Sequence, residues 1–215
     1  MNILALTSRF PVFFVVITLT ILLIHNIRRS DRIIKKKQDE YWTREITANS
    51  TRRKSLDTVD YIVIPYNDFP MELEYDDPQI KEYVDQINEL KGHQIANFTG
   101  LTNTDLKLEY GAPNITHLTR CDNDFTILAR TLDGWAARLH ELGHDDEALT
   151  ILDFAVKCRS DVSSTFYLAA RLYSEREDYK KIAWLKRQAE SLNSLMSGPI
   201  LRNLNEKYPD INAYD

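Results

Sequence analysis

The residues with the clearest chemical potential in this chain are two histidines on either side of a glutamate. His140, Glu141 and His144 follow the pattern H-E-x-x-H. On one continuous helix this spacing puts both imidazoles on the same face, where they can bind zinc while the carboxylate acts as a general base. Such a site also needs a third protein ligand. The extended pattern would supply it as histidine at position 150, where this chain has Thr150.

Gly143 lies between the two histidines and favours a turn there, which would separate the imidazoles. The resemblance to the zincin motif implies a zinc hydrolase with His140 and His144 as ligands and Glu141 as base, and we keep it as the alternative hypothesis. The two cysteines, Cys121 and Cys158, form no C-x-x-C pair. The sequence has no nucleophile elbow, phosphate loop or dinucleotide fingerprint. We therefore predict no catalytic residue, no metal and no cofactor.

The elements that position these residues contain an internal repeat. At an offset of 34 residues, the C-terminal half aligns large residues with large ones and small with small. The aligned pairs are Leu132 with Phe166, Ala136 with Ala170, Leu139 with Tyr173, Ala148 with Ile182, and Ala155 with Ala189. Each unit predicts two helices, at 125–142 and 145–158 and then at 164–175 and 179–192. Turns are expected at Gly143-His144 and at Glu177-Asp178.

This pattern resembles the tetratricopeptide repeat over residues 129–196. In that family the first helix of each pair lines a concave surface that binds other proteins. The resemblance implies a protein-interaction module, a scaffold or adaptor rather than an enzyme, with Arg130, His140, Tyr167 and Arg171 on the binding surface. Because two units are fewer than the three usually needed, we expect capping helices at 199–208 and within 78–111.

The N-terminal region predicts a membrane anchor. Residues 10–24 carry no charge, and counting on to Ile27 gives a predicted transmembrane helix over 10–27. Six basic residues follow, namely Arg28, Arg29, Arg32, Lys35, Lys36 and Lys37. Their position predicts a single-pass protein of the cell membrane with a cytoplasmic C-terminal domain. A structural subunit of a membrane complex is a further alternative.

Charge changes sign along the chain. Residues 28–54 contain ten basic and four acidic residues, whereas residues 55–215 contain sixteen basic and twenty-eight acidic ones. The basic stretch suits the lipid bilayer and its anionic headgroups, although these charges could serve only to set topology. The acidic body offers no surface for phosphates, so we predict no nucleic acid as a partner. The protein partners that we predict are implied by the tetratricopeptide resemblance.

The predicted fold class is mainly α, with a single N-terminal transmembrane helix and a small tetratricopeptide-like helical-hairpin domain with capping helices. Between them, 58–65 reads as an extended stretch, and Asp77 and Thr102 each cap a predicted helix. The predicted segments are a tail at 1–9, the transmembrane helix at 10–27, a basic stalk at 28–56, a mixed segment at 57–120 and the helical domain at 121–215.

Overall fold

The structure is a computed structural model that describes residues 11–209, with side chains from Phe14 onward. The chain divides into two units, with the boundary between Thr51 and Arg52. The first unit contains one helix, α1 (Pro11–Ser50). The predicted tail at 1–9, Phe10 and residues 210–215 lie outside the described residues.

The predicted transmembrane helix at 10–27 is wrong. Across residues 11–209, none of the helices is long and apolar enough to cross a membrane. The apolar stretch of α1 runs from Pro11 to Ile24, about 21 Å at about 1.5 Å per residue, against roughly 30 Å of hydrocarbon. The prediction was too long because it counted past His25 and Asn26 to Ile27.

The second unit is mainly helical, as predicted. It contains β1 (Tyr61–Ile62), α2 (Pro78–Glu89), β2 (Ile95–Ala96), α3 (Asn103–Tyr110), a short 3-10 helix (Ala112–Asn114), α4 (Ile115–Glu141), α5 (Asp145–Lys157), α6 (Ser163–Glu175), α7 (Tyr179–Glu190) and α8 (Ser197–Lys207). α4 begins ten residues before the predicted position 125, because Leu118 and Cys121 in its first turns are buried in a small apolar cluster with Val59 and Phe98.

The helix starts follow from short polar side chains, as predicted. The Asp77 carboxylate accepts hydrogen bonds from the backbone N–H groups of Gln79 (3.0 Å) and Ile80 (3.1 Å) and so caps α2. At α3, Thr102 Oγ1 accepts a hydrogen bond from the Asp105 N–H (3.2 Å), and Asp105 accepts one from the Thr102 N–H (2.8 Å). These bonds satisfy amide groups that would otherwise lack a partner in the first turn.

The extended stretch at 58–65 finds a partner. β1 pairs with β2 in an antiparallel ribbon, with Tyr61 opposite Ala96 and Ile62 opposite Ile95. Ile62 and Ile95 belong to the main core, while Tyr61 and Ala96 belong to the small cluster. Both faces of the ribbon are therefore covered, which is what stabilises so short a sheet.

The repeated helices end in the same way. At the end of α4, the His144 N–H donates to the Leu139 carbonyl (2.9 Å) and Gly143 has φ +86°. At the equivalent end of α6, the Asp178 N–H donates to the Tyr173 carbonyl (2.9 Å) and Glu177 has φ +56°. Both are Schellman motifs, and they confirm the two predicted turns. The aligned alanines 136, 155, 170 and 189 are buried, which lets the paired helices approach closely.

The acid stability of this unit should depend on Asp77. Arg138 Nη2 donates to Asp77 Oδ2 at 2.6 Å, and this hydrogen bond, together with that from the Ile80 N–H, lowers the pKa of Asp77 to about 2. A lowered pKa stabilises the fold above the ordinary value of 3.8, and this contribution disappears as the pH falls through about 2. Asp77→Asn keeps a capping oxygen but removes the charge.

We therefore expect urea midpoints of Asp77→Asn to lie below those of the wild type by a constant amount above pH 4. The two should converge as the pH approaches 2. Asp76→Asn, which removes the exposed neighbouring carboxylate, is the control. A gap for Asp77→Asn that stays constant down to pH 2 would show that the Arg138 pair does not act as described.

Candidate protein-binding surface

Helices α4 and α6 lie side by side in a fixed register. Asp133 on α4 accepts hydrogen bonds from Ser164 Oγ (2.7 Å) and Thr165 Oγ1 (2.8 Å) at the start of α6. Farther along, the Arg171 Nη2 group contacts His140 Nε2. The two contacts are equally spaced on both helices, because Asp133 and His140 are separated by the same number of residues as Ser164 and Arg171, about two helical turns. The two helices therefore run parallel, as the first helices of successive repeats would.

The α4–α6 surface is the exposed side that these two helices share. It comprises Arg130, Asp133, His140, Ser164, Tyr167 and Arg171. Arg130 is exposed, and the Arg171 side chain is 53% exposed. Tyr167 is half-buried, and the Lys207 ammonium of α8 lies 5.8 Å from the centre of its ring. Of the four predicted binding residues, the structure brings His140 and Arg171 into contact and places Tyr167 one turn before Arg171.

A polar network holds Arg171 in place. His140 Nδ1 lies 2.5 Å from Asp145 Oδ1, in the first turn of α5. When Nδ1 carries the proton that it donates to Asp145, Nε2 is left to accept a hydrogen bond from Arg171. Glu175 Oε1 lies 3.9 Å from Arg171 Nε. The network spans α4, α5 and α6 and so restrains the Arg171 guanidinium.

The H-E-x-x-H pattern does not lie on one helix. α4 ends at Glu141, and His144 follows the turn at Gly143. His140 contacts Asp145, whereas His144 Nε2 contacts Glu74 Oε1 at 3.1 Å. No group of three or more histidine, cysteine or acidic side chains suited to a metal ion occurs within residues 14–209. The zinc hypothesis therefore rests on the sequence pattern alone.

The basic residues predicted to face lipid all lie on α1. Arg28, Arg29, Arg32, Lys35, Lys36 and Lys37 are exposed. Within this set, Lys36 Nζ lies 3.8 Å from Glu40 Oε1, and both side chains are largely exposed. An exposed pair of this kind contributes little to stability. Their association with a bilayer or its anionic headgroups stays a prediction.

Sequence reasoning missed a cavity of about 480 Å³ in the second unit. Its walls come from residues 60–63 around β1, the loop after β2, the end of α5 and residues 192–194. These segments are far apart in the sequence, and no periodicity joins them. The one signal in the sequence was the extended stretch itself, which contains Val63, an apolar residue that is 83% exposed in the structure.

One thiol lines this cavity. Burial raises the pKa of Cys158 to about 12, and the nearby Asp60 carboxylate acts in the same direction. The thiol is therefore protonated at neutral pH and is a poor nucleophile, because only the thiolate reacts readily. The cavity is better suited to binding than to covalent chemistry.

Comparison of the chain with protein-family models, curated proteins and solved structures found no match. The tetratricopeptide resemblance thus stays a prediction.

Proposed function

We propose that this protein binds other proteins through the α4–α6 surface, as a helical-hairpin module of the tetratricopeptide type. The observation that carries the proposal is the parallel register of α4 and α6, fixed by the Asp133–Ser164 and His140–Arg171 contacts. In the family that this chain resembles, parallel first helices form the concave binding surface. We assign Arg130, Tyr167 and Arg171 to this surface.

The chemistry of the surface suits a protein partner. Tyrosine and arginine are enriched among the residues that dominate binding energy at interfaces. Arg171 is half exposed yet tied to His140, so less side-chain freedom is lost when a partner binds. Tyr167 offers an aromatic edge that already packs against the core. A binding surface with two such anchors does not need a deep pocket.

The test is the double variant Tyr167→Ala/Arg171→Ala in the full chain. Partners are first captured from a lysate of the source cells and identified, and the affinity of each purified partner is then measured. We expect the double variant to weaken binding by about 100-fold, as loss of two interface anchors typically does.

The matched control is Tyr179→Ala/Arg187→Ala, which removes the same two residue types from α7, a second helix of its pair. It should change the affinity by less than about threefold. Equal losses in both double variants would indicate general destabilisation rather than a binding surface. Unchanged binding in Tyr167→Ala/Arg171→Ala would overturn the proposal.

A further inference from the structure

The outer edge of β1 is open. Both faces of the ribbon are covered by apolar clusters, and β2 packs against α4. In the part of the chain that the structure describes, the sheet has two strands, so the edge of β1 that faces away from β2 pairs with no strand. Consecutive strand residues point to opposite faces of a sheet, so a cavity on one face alone would contact the side chains of every second residue. Residues 60–63 all line this cavity. The cavity therefore runs along the strand edge.

The rim of this cavity is apolar and exposed. Val63 is 83% exposed and Leu101 is 40% exposed, and both line the cavity. Leu195, next to the lining residue Ser194, is 97% exposed. Large apolar side chains gathered beside a concave site are typical of a binding surface.

Two basic side chains lie at the α5 end of the cavity. Lys157 and Arg159 line it, and neither side chain forms an ion pair with any residue of 14–209. Asn97 fixes this turn, because its side-chain amide donates to the carbonyls of Cys158 (3.0 Å) and Arg159 (2.9 Å). Asp60 is the acidic residue of the lining, at the start of β1. The body around them is strongly acidic, so this cationic end is a local exception.

We propose that the open edge of β1 binds an extended peptide segment of a partner protein, which adds as a further strand and places an acidic side chain beside Lys157 and Arg159. Backbone hydrogen bonds to the strand edge would supply affinity, as in other cases of strand addition. An apolar side chain of the peptide would cover Val63 and Leu101. This site is separate from the α4–α6 surface and does not depend on it.

The test begins with a library of displayed random nine-residue peptides selected on the full chain. We expect the enriched peptides to alternate β-branched or aromatic residues with polar ones and to contain Asp or Glu near one end. Fluorescence anisotropy of a labelled enriched peptide should show at least about tenfold weaker binding to Lys157→Glu/Arg159→Glu. Enrichment of no such class, or binding unchanged by the charge reversal, would overturn the proposal.

Strand addition has its own signature. Val63→Pro removes the backbone N–H of the residue directly after β1, whereas Val63→Thr keeps both the N–H and the branched shape. We expect the first to weaken peptide binding by at least about tenfold and the second to leave it within about twofold. Binding by Tyr167→Ala/Arg171→Ala should be unchanged, which separates this site from the proposed function.

N-methylation of the peptide tests strand addition even if the Val63→Pro variant does not fold. A methyl group is placed on one peptide amide at a time. Methylation should abolish binding at every second amide and leave it unchanged at the amides between, because only every second amide of a strand faces its neighbour. A peptide bound as a helix, or through side chains alone, would show no such alternation, and the proposal would then be wrong.

Discussion

Replacing Trp135 with alanine is expected to lower the free energy of unfolding by about 3–5 kcal/mol, the range for large aromatic residues in cores. Trp135 is fully buried on α4. Its ring packs edge-to-face on Phe69, with centroids 5.7 Å apart, and Phe69 packs in turn on Phe154 of α5 at 5.3 Å. Removing the indole would therefore leave a cavity where the first helix pair meets the segment before α2.

Trp135→Phe is the matched control. The indole Nε1 is buried, and it has no hydrogen-bond partner among the described residues. A buried donor without a partner costs about 1–3 kcal/mol, so phenylalanine removes this penalty while keeping most of the apolar contact. Urea unfolding followed by far-ultraviolet circular dichroism should show a loss under about 2 kcal/mol for Trp135→Phe. Equal losses in the two variants would contradict the described packing.

Gly100→Ala is the second substitution with a large expected effect. Gly100 has φ +84°, and a Cβ atom there would lie 2.0 Å from the Asn193 carbonyl oxygen. A backbone oxygen cannot turn aside as a side chain can, so the loop after β2 or residues 192–194 must shift. We expect a loss of about 2–5 kcal/mol, combining the left-handed conformation with overpacking.

Gly92→Ala is the control that separates the effect of the Asn193 contact from the effect of the left-handed backbone conformation. Gly92 has the same φ of +84°, but nothing lies within 4 Å of the position of its Cβ. Its substitution should cost only about 1–2 kcal/mol, the penalty for the left-handed conformation itself. The difference between the two midpoints in urea measures the Asn193 contact. If Gly92→Ala were as destabilising as Gly100→Ala, the described close contact of Gly100 with Asn193 would be wrong.

The sequence predicted the repeated helices well because their signals are local. Small residues recur at a fixed offset, and the glycine at 143 and polar cap residues mark helix ends within a few positions. The start of α4 was missed because Leu118 and Cys121 face a second apolar cluster built from distant segments. β2 was missed because two residues, Ile95 and Ala96, are too short for a periodic pattern. The transmembrane prediction failed because it counted through polar positions at the end of the apolar run.

The candidate sites divide in the same way. Alignment of the two repeats was sufficient to place His140, Tyr167 and Arg171 on first helices. The contact of His140 with Arg171 depends on the offset between neighbouring helices, which no single helix encodes. The cavity beside β1 depends on four segments that meet only in the folded chain. Its cations, Lys157 and Arg159, look in the sequence like an ordinary charged helix end.

The most direct test of the proposed function is amide hydrogen exchange on the full chain, alone and bound to a captured partner. We predict that the partner slows exchange in peptides from the Arg130–His140 part of α4 and from α6, while α5 and α7 change little. Protection confined to α5 and α7, with α4 and α6 exchanging as in the free protein, would contradict the α4–α6 surface.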